Sequence, residues 1–254
     1  MDSDSEFSDS EGEEPNWSPI FRAVMTLDVQ ALRHELASGV DVNLMEGGVT
    51  PLYMAVIFRS SYAEEKLQER LECTSMLLEA GASISNIDRE ATALHHAASN
   101  ESPAFHPVIK LLMESGADVN AVDSLGDSVL ASAAESGTAG AVRMLISAGA
   151  VGLDRALDLA ITNGKIRNCA QLLRAGAALP AVITAPAPPP YSQRRGFPQM
   201  CAYIGNIRAA GGFRAYEKAH RQRLVAIFLP KFPHLPVEML ERIVDFSWDI
   251  GGHE

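Results

Sequence analysis

Thr92-Ala93-Leu94-His95-His96-Ala97, followed by Ile109-Lys-Leu-Leu-Met-Glu-Ser-Gly116 and Ala117-Asp-Val-Asn120, is the stretch from which the rest of the chain can be read. Thr92 can cap a helix by accepting backbone N–H bonds. Leu94 and Ala97 place one bulky and one small group on the same helical face, so a neighbouring helix can come close. Ile109, Leu111 and Leu112 give a second helix its apolar side. Gly116 supplies the left-handed residue that ends it, and Asp118-Val-Asn120 is a polar connector rich in turn formers. Such a helix pair cannot bury its apolar face alone, so it must stack on copies of itself.

The copies are present. The closing glycine recurs in Leu36-Ala-Ser-Gly39, Leu78-Glu-Ala-Gly81, Ile146-Ser-Ala-Gly149 and Leu173-Arg-Ala-Gly176. The unit starts are Ser18, Thr50, Thr92, Ser128 and Arg155, each followed by Leu or Ile two residues on and Ala five residues on. Pro19 and Pro51 suit a first helical position. The glycines are 42, 35, 33 and 27 residues apart. The longest spacing reflects ten extra residues around Arg59 to Arg70, whose composition favours helix; they are expected to extend the second helix and raise a charged ridge. The shortest arises between Gly149 and Arg155, so the fifth unit should keep its helices and lose its loop finger.

Thr50-Pro51-Leu52-Tyr53-Met54-Ala55 and Thr92-Ala93-Leu94-His95-His96-Ala97, with Ser115-Gly-Ala-Asp-Val-Asn120 downstream, resemble the ankyrin repeat. That family's period is about 33 residues. The resemblance spans residues 17 to about 179. The family's motif histidine survives only as His95; Phe21, Tyr53, Ala131 and Asp158 stand at the other four positions. His95 is expected to bond between adjacent loops rather than to bind a ligand.

The resemblance implies an all-α solenoid of about five helix–turn–helix repeats, to which the apolar spacing after the linker adds a C-terminal helical hairpin. It also implies a non-catalytic scaffold that recognises another protein through a concave face of first helices and loop tips. By register, the outward positions on the helices are Arg22, Met25, Met54, Phe58, His96, Asn100 and Glu135. At the loop tips stand Met45, Asp88, Arg89, Asp123 and Leu125. Methionine, phenylalanine and acids together suggest a partner with an apolar anchor and a basic rim.

The flanks differ in character. Residues 1–16 form an acidic tail: positions 2–14 hold seven acids and no base, too little apolar surface to offset ordering entropy. Ser3, Ser8 and Ser10 each have Glu three residues on and are candidate sites for an acidic-directed kinase. Residues 180–195 read as a proline-rich extended linker. Residues 196–254 read as helical. There Phe213, Tyr216, Leu224, Ile227 and Phe228 share a face, and Pro236 opens a helix carrying Leu240, Ile243, Val244 and Trp248. That last helix is expected to cap the fifth unit near Leu172 and Leu173. Leu235-Pro236-x-Glu238-x-Leu240-x-x-Ile243 is also similar to the opening of F-box-like and SOCS-box-like terminal boxes. Behind a repeat array it resembles the cullin-recruiting substrate receptors of ubiquitin ligases, which implies ligase subunits as partners. An F-box needs further helices, and only Asp249 to Glu254 follow Trp248.

Composition narrows the remaining classes. The chain has 254 residues, 21 Lys+Arg against 32 Asp+Glu and a net charge of −11. Nucleic-acid binding is not expected of so acidic a chain. Cys73, Cys169 and Cys201 lie far apart, which fits reduced thiols in the cytoplasm or nucleus and no zinc site. Met1-Asp-Ser-Asp-Ser-Glu lacks the basic and apolar parts of a signal peptide. No nucleophile–base pair, phosphate loop or metal spacing is visible. The expectations are therefore no enzyme activity, no cofactor, no membrane and a monomer.

Overall fold

The structure, a computed structural model, describes residues 17–57, 66–85, 91–181, 197–240 and 242–243. The acidic tail with Ser3, Ser8 and Ser10, and Phe58, Asp88, Arg89, Val244 and Trp248, lie outside these residues. Ten helices form five antiparallel pairs: α1 (Pro19–Thr26) with α2 (Val29–Ala37), α3 (Pro51–Ile57) with α4 (Leu67–Glu79), α5 (Ala93–Ala98) with α6 (His106–Glu114), α7 (Val129–Glu135) with α8 (Ala139–Ser147), and α9 (Leu153–Thr162) with α10 (Ile166–Arg174). First helices pack on first helices and second on second, giving a two-layered solenoid. Among the described residues, β structure is limited to isolated bridges such as Glu46–Val49 and Val122–Ser128. The fold is all-α.

Local chemistry explains the element ends. Hydroxyls cap several first turns: Thr50 Oγ1 accepts from Tyr53 N at 3.3 Å, Ser128 Oγ from Ala131 N at 3.2 Å, and Thr138 Oγ1 from Ala141 N at 3.1 Å. Ser18 departs from the expected role. Its own N–H donates to a Glu46 carboxylate oxygen at 3.0 Å, and its hydroxyl caps nothing. All five closing glycines adopt positive φ, between +81° at Gly39 and +104° at Gly176. The following N–H then reaches back into the last turn, as Ala117 N to Leu112 O and Ala150 N to Leu145 O, each at 3.0 Å.

The Leu and Ala positions of the register are buried throughout: Ile20, Leu52, Leu94, Leu130 and Leu157 are 0–1% exposed. Small residues let the layers approach. At Gly137, between α7 and α8, a Cβ would stand 2.1 Å from the Ala98 carbonyl oxygen of the preceding unit. On the loop side the units are joined by polar rungs. Asn43 donates its amide to Gly81 O at 3.2 Å and accepts from Ser83 N at 2.7 Å. Asn120 repeats the pattern with Gly149 O at 3.4 Å and Val151 N at 2.9 Å. Asp154 ends the series by accepting from Ala178 N at 2.7 Å.

The extra residues of the second unit are described from Lys66 onward; there they lengthen its second helix, α4, with Lys66 and Gln68 exposed, whereas Arg70 turns inward. Arg70 is fully buried, donates to the Ala55 and Val56 carbonyls at the end of α3, and lies 5.3 Å from the Phe105 ring centre. The negative end of α3 and an aromatic face together accommodate the guanidinium. Cover for the end of the stack comes earlier in the chain than Pro236, whose helix is described only as far as Leu240 and at 242–243. A helix at Phe197–Ala209 (α11), followed by α12 at Phe213–Phe228, covers the fifth pair. Met200, Tyr203, Ile204 and Ile207 are buried in the same cluster as α9 and α10, with Met200 Sδ 3.8 Å from Cys169 Sγ. Arg174 on α10 donates to Glu217 on α12 through Nε at 3.1 Å and Nη2 at 2.7 Å.

Candidate protein-binding surface

The third and fourth units build a cleft where the first helices meet the loop finger. Thr92 and His95 form a reciprocal cap: Thr92 Oγ1 and His95 Nδ1 are 2.8 Å apart, and the His95 N–H faces Thr92 Oγ1. With Nδ1 thus facing donors, the assigned neutral tautomer carries its proton on Nε2, which points at the Asp127 carbonyl at 3.2 Å. Burial holds the His95 pKa below its ordinary value. The imidazole is a strut between α5 and the next finger, the bond between loops foreseen from sequence. His96, one residue on, turns out of the core and meets Tyr53 edge-on at 4.8 Å.

The finger is held by its own carboxylate. Asp123 Oδ1 accepts from Leu125 N and Asp127 N, both at 2.9 Å, and the Val122–Ser128 bridge closes the base. This geometry pins Leu125 at the tip, 80% exposed. His95, His96, Asp123, Leu125, Ser132 and Glu135 line a cleft of about 290 Å³. Of the sequence-derived positions, the structure therefore brings together His96, Asp123, Leu125 and Glu135.

The remaining positions scatter. Met45 is exposed on an earlier loop, Arg22 is exposed on α1, and Met25 is half-buried against the N-terminal core. Asn100 uses its side-chain oxygen to accept from Ser102 N at 2.8 Å, a turn role. Met54 is a correction. It was expected to face outward but is buried, 7% exposed, in the N-terminal core. Being one residue past Tyr53 on the seven-residue helix α3, which packs against both α1 and α5, it has little open side left.

A second surface lies beyond the stack. Ile227, Phe228, Leu229, Phe232, Val237, Met239 and Ile243 are all more than a third exposed. Ile227 and Phe228 were expected on the packed face of α12, yet only its first turns, at Phe213 and Tyr216, join the core. In the Leu-Pro box, Leu240 is buried and Leu235 half-buried, while Pro236, Glu238 and Ile243 are exposed. Ile243 was expected to share the packing of Leu240 and does not.

Sequence reading missed two buried polar residues besides α11. Arg70 is one. Asn168 on α10 is the other, 2% exposed and donating to the carbonyls of Ala133, Ala134 and Gly137 at 3.0–3.2 Å. Both cap the C-terminal end of a first helix from a second helix. Each stands among other polar residues, Arg70 in Gln68-Glu-Arg-Leu-Glu72 and Asn168 directly after Arg167, so the local sequence carried no signal. The thiols at Cys73 and Cys169 are buried, which pushes the Cys73 pKa up to about 11 and raises that of Cys169 as well. Neither is a poised nucleophile. Among the described residues no cluster of three His, Cys, Asp or Glu is set to hold a metal, and no helix is long and apolar enough to cross a membrane.

Comparison with known families closes the case. Residues 89–124 match the family model for the ankyrin repeat. That segment contains α5, α6, His95 and the start of the finger as far as Ser124; Leu125 and Asp127 follow directly after it. The pairs on either side repeat its helix order, its buried Leu and Ala positions and its left-handed glycines. Residues 89–124 are an ankyrin repeat, and the helix pairs stacked on both sides follow its pattern.

Proposed function

We propose that this protein is a non-catalytic recognition scaffold that binds a partner protein through its first helices and loop tips. Ankyrin repeats serve in general as protein–protein interaction modules. The observation that carries the reading is Leu125, an apolar side chain 80% exposed on a finger fixed by Asp123, at the rim of a cleft that His96, Asp123 and Glu135 also line. A large apolar group held out by a built turn has no role in the core and suits an interface anchor. The test is affinity capture with the full-length chain and with Leu125→Asp, a surface change that should leave folding intact. A captured protein lost with Leu125→Asp supports the reading; an unchanged set of captured proteins refutes it.

A second reading rests on a different surface. The seven exposed apolar residues from Ile227 to Ile243 overlap the Leu-Pro box, which favours a docking role for the C-terminal segment. In this reading the repeats hold a substrate, and the box recruits a cullin-type ubiquitin ligase. Val237→Ser with Ile243→Ser, both at exposed positions, should then remove ligase subunits from the captured set and spare the partner of the repeats.

A further inference from the structure

The cleft between the third and fourth units carries a charge pattern that specifies more than an apolar anchor. Asp123 and Glu135 line it, and among the described residues no lysine or arginine does. Ion pairs nearby consume other acids: Arg155 pairs with Asp127 at 3.1 Å, and Lys165 with Glu101 at 2.8 Å. Glu135 takes part in no ion pair or hydrogen bond among the described residues, and Asp123 spends one carboxylate oxygen on its own turn. Two carboxylates thus face an open, half-apolar hollow, and among the described residues no cation of the chain lines it.

The far side of the finger is bare for a related reason. The connector from Gly149 to Gly152 is too short to form a fifth finger. Asn120 ties the Val151 N–H beside the fourth finger, and Val122 and Val151 stand 53% and 62% exposed with Leu125 between cleft and edge. An apolar strip therefore adjoins the acidic hollow where the next finger would otherwise lie. At about 290 Å³ and open to solvent, the hollow is smaller than most enclosed small-molecule sites and suits one long side chain.

We propose that this cleft takes a lysine or arginine from an extended segment of a partner protein, with an aliphatic neighbour laid against Leu125 and the bare edge at Val122 and Val151. The proposal rests on the loop-tip reading above and adds the chemistry of the partner. The long apolar stem of either basic residue can cross the serine-lined wall while its cationic head sits between the two carboxylates. The aliphatic neighbour gains a surface that is otherwise left to water.

The experiment uses the full-length chain and arrays of ten-residue peptides. A central Arg, Lys, Gln or Glu is fixed, with Leu or Ser at the positions two residues away, and affinities of retained peptides are read by fluorescence polarisation. Arg–Leu and Lys–Leu peptides are expected to bind roughly tenfold or more tighter than the Gln and Glu peptides. Their affinity should fall as salt rises, since the hollow is open to screening. Glu135→Gln should remove the preference for a basic residue, and Leu125→Ser the preference for leucine, without change in the thermal midpoint. Equal retention of all peptides, no retention of any, or a basic preference untouched by Glu135→Gln overturns the proposal. Ser132→Trp, which fills the cleft, separates the two levels. If a protein captured by the chain is lost with Ser132→Trp and kept with Glu135→Gln, the basic-residue inference falls while the loop-tip reading stands; if both variants keep it, both fall.

Discussion

Helix α11 and the segment from Ile227 to Ile243 are built from similar material and end in opposite situations. Met200, Tyr203, Ile204 and Ile207 follow an i, i+3, i+4, i+7 spacing and are 0–7% exposed, sealing the end of the stack. Ile227 to Ile243 carry more large apolar groups, yet seven of them remain more than a third exposed. The difference is a matter of neighbours. The last pair of a solenoid presents an apolar face that must be covered, and α11 arrives first along the chain. Once that face is closed, the remaining apolar residues have no surface of the repeats to join. Helical spacing announces that a face wants covering, and chain order decides which face finds cover at home.

Four measurements would break or sharpen that contrast. The largest effect is expected from Ile204→Asp, which buries an unpaired charge in the α11 contact; it should cost about 4 kcal/mol or more in urea unfolding of the full-length chain. A loss below about 1 kcal/mol would show that α11 is not part of the core. Leu94→Ala and Met200→Ala come next, each expected to cost about 2–5 kcal/mol by cavity formation. Agreement between them would mean the array and its cap share one packing standard.

A smaller effect should appear in pH. Burial holds the neutral form of His95, so its folded pKa lies below the unfolded value. The unfolded chain binds the proton first as pH falls, and the stability owed to neutral His95 is complete above about pH 6.5 and lost progressively below it. The thermal midpoint should therefore drop between pH 7.5 and 5.5. His95→Gln should reduce that drop without abolishing it, because burial lowers the His106 and His220 values as well. The smallest effect is expected at the other pole of the contrast: Phe228→Ser should leave stability within about 0.5 kcal/mol of the parent. A cost of several kcal/mol there would mean that the exposed segment is docked on the fold.

Much of this architecture was legible because it is written in repeated local chemistry. The five Leu and Ala positions and the five closing glycines each answer to a rule that acts within one turn of chain, and all fell where expected. Three of the outward positions, Asp123, Leu125 and Glu135, were legible for the same reason and met His96 in one cleft. What escaped depends on contacts between units. Arg70 looks like a surface residue until the carbonyls of α3 and the ring of Phe105 are placed around it. Met54 looks outward until α1 and α5 close over the short helix that carries it. Helix α11 had its apolar spacing in plain view, but Pro198 and Gly205 and the proline run before it disguised the signal.

The asparagine rungs bear on how the array comes apart. Each rung satisfies a carbonyl and an N–H of the following unit, so neighbours are linked by bonds that stand outside the apolar stack. In a one-dimensional chain of units, such links set how far a local opening spreads before it becomes global. Asn120 joins the fourth unit to the fifth, and the fifth packs against α11 and α12. Asn120→Ala should then do more than lower the midpoint. It should split one cooperative transition into two, with the fifth pair and its covering helices melting as a block ahead of the units that hold the cleft.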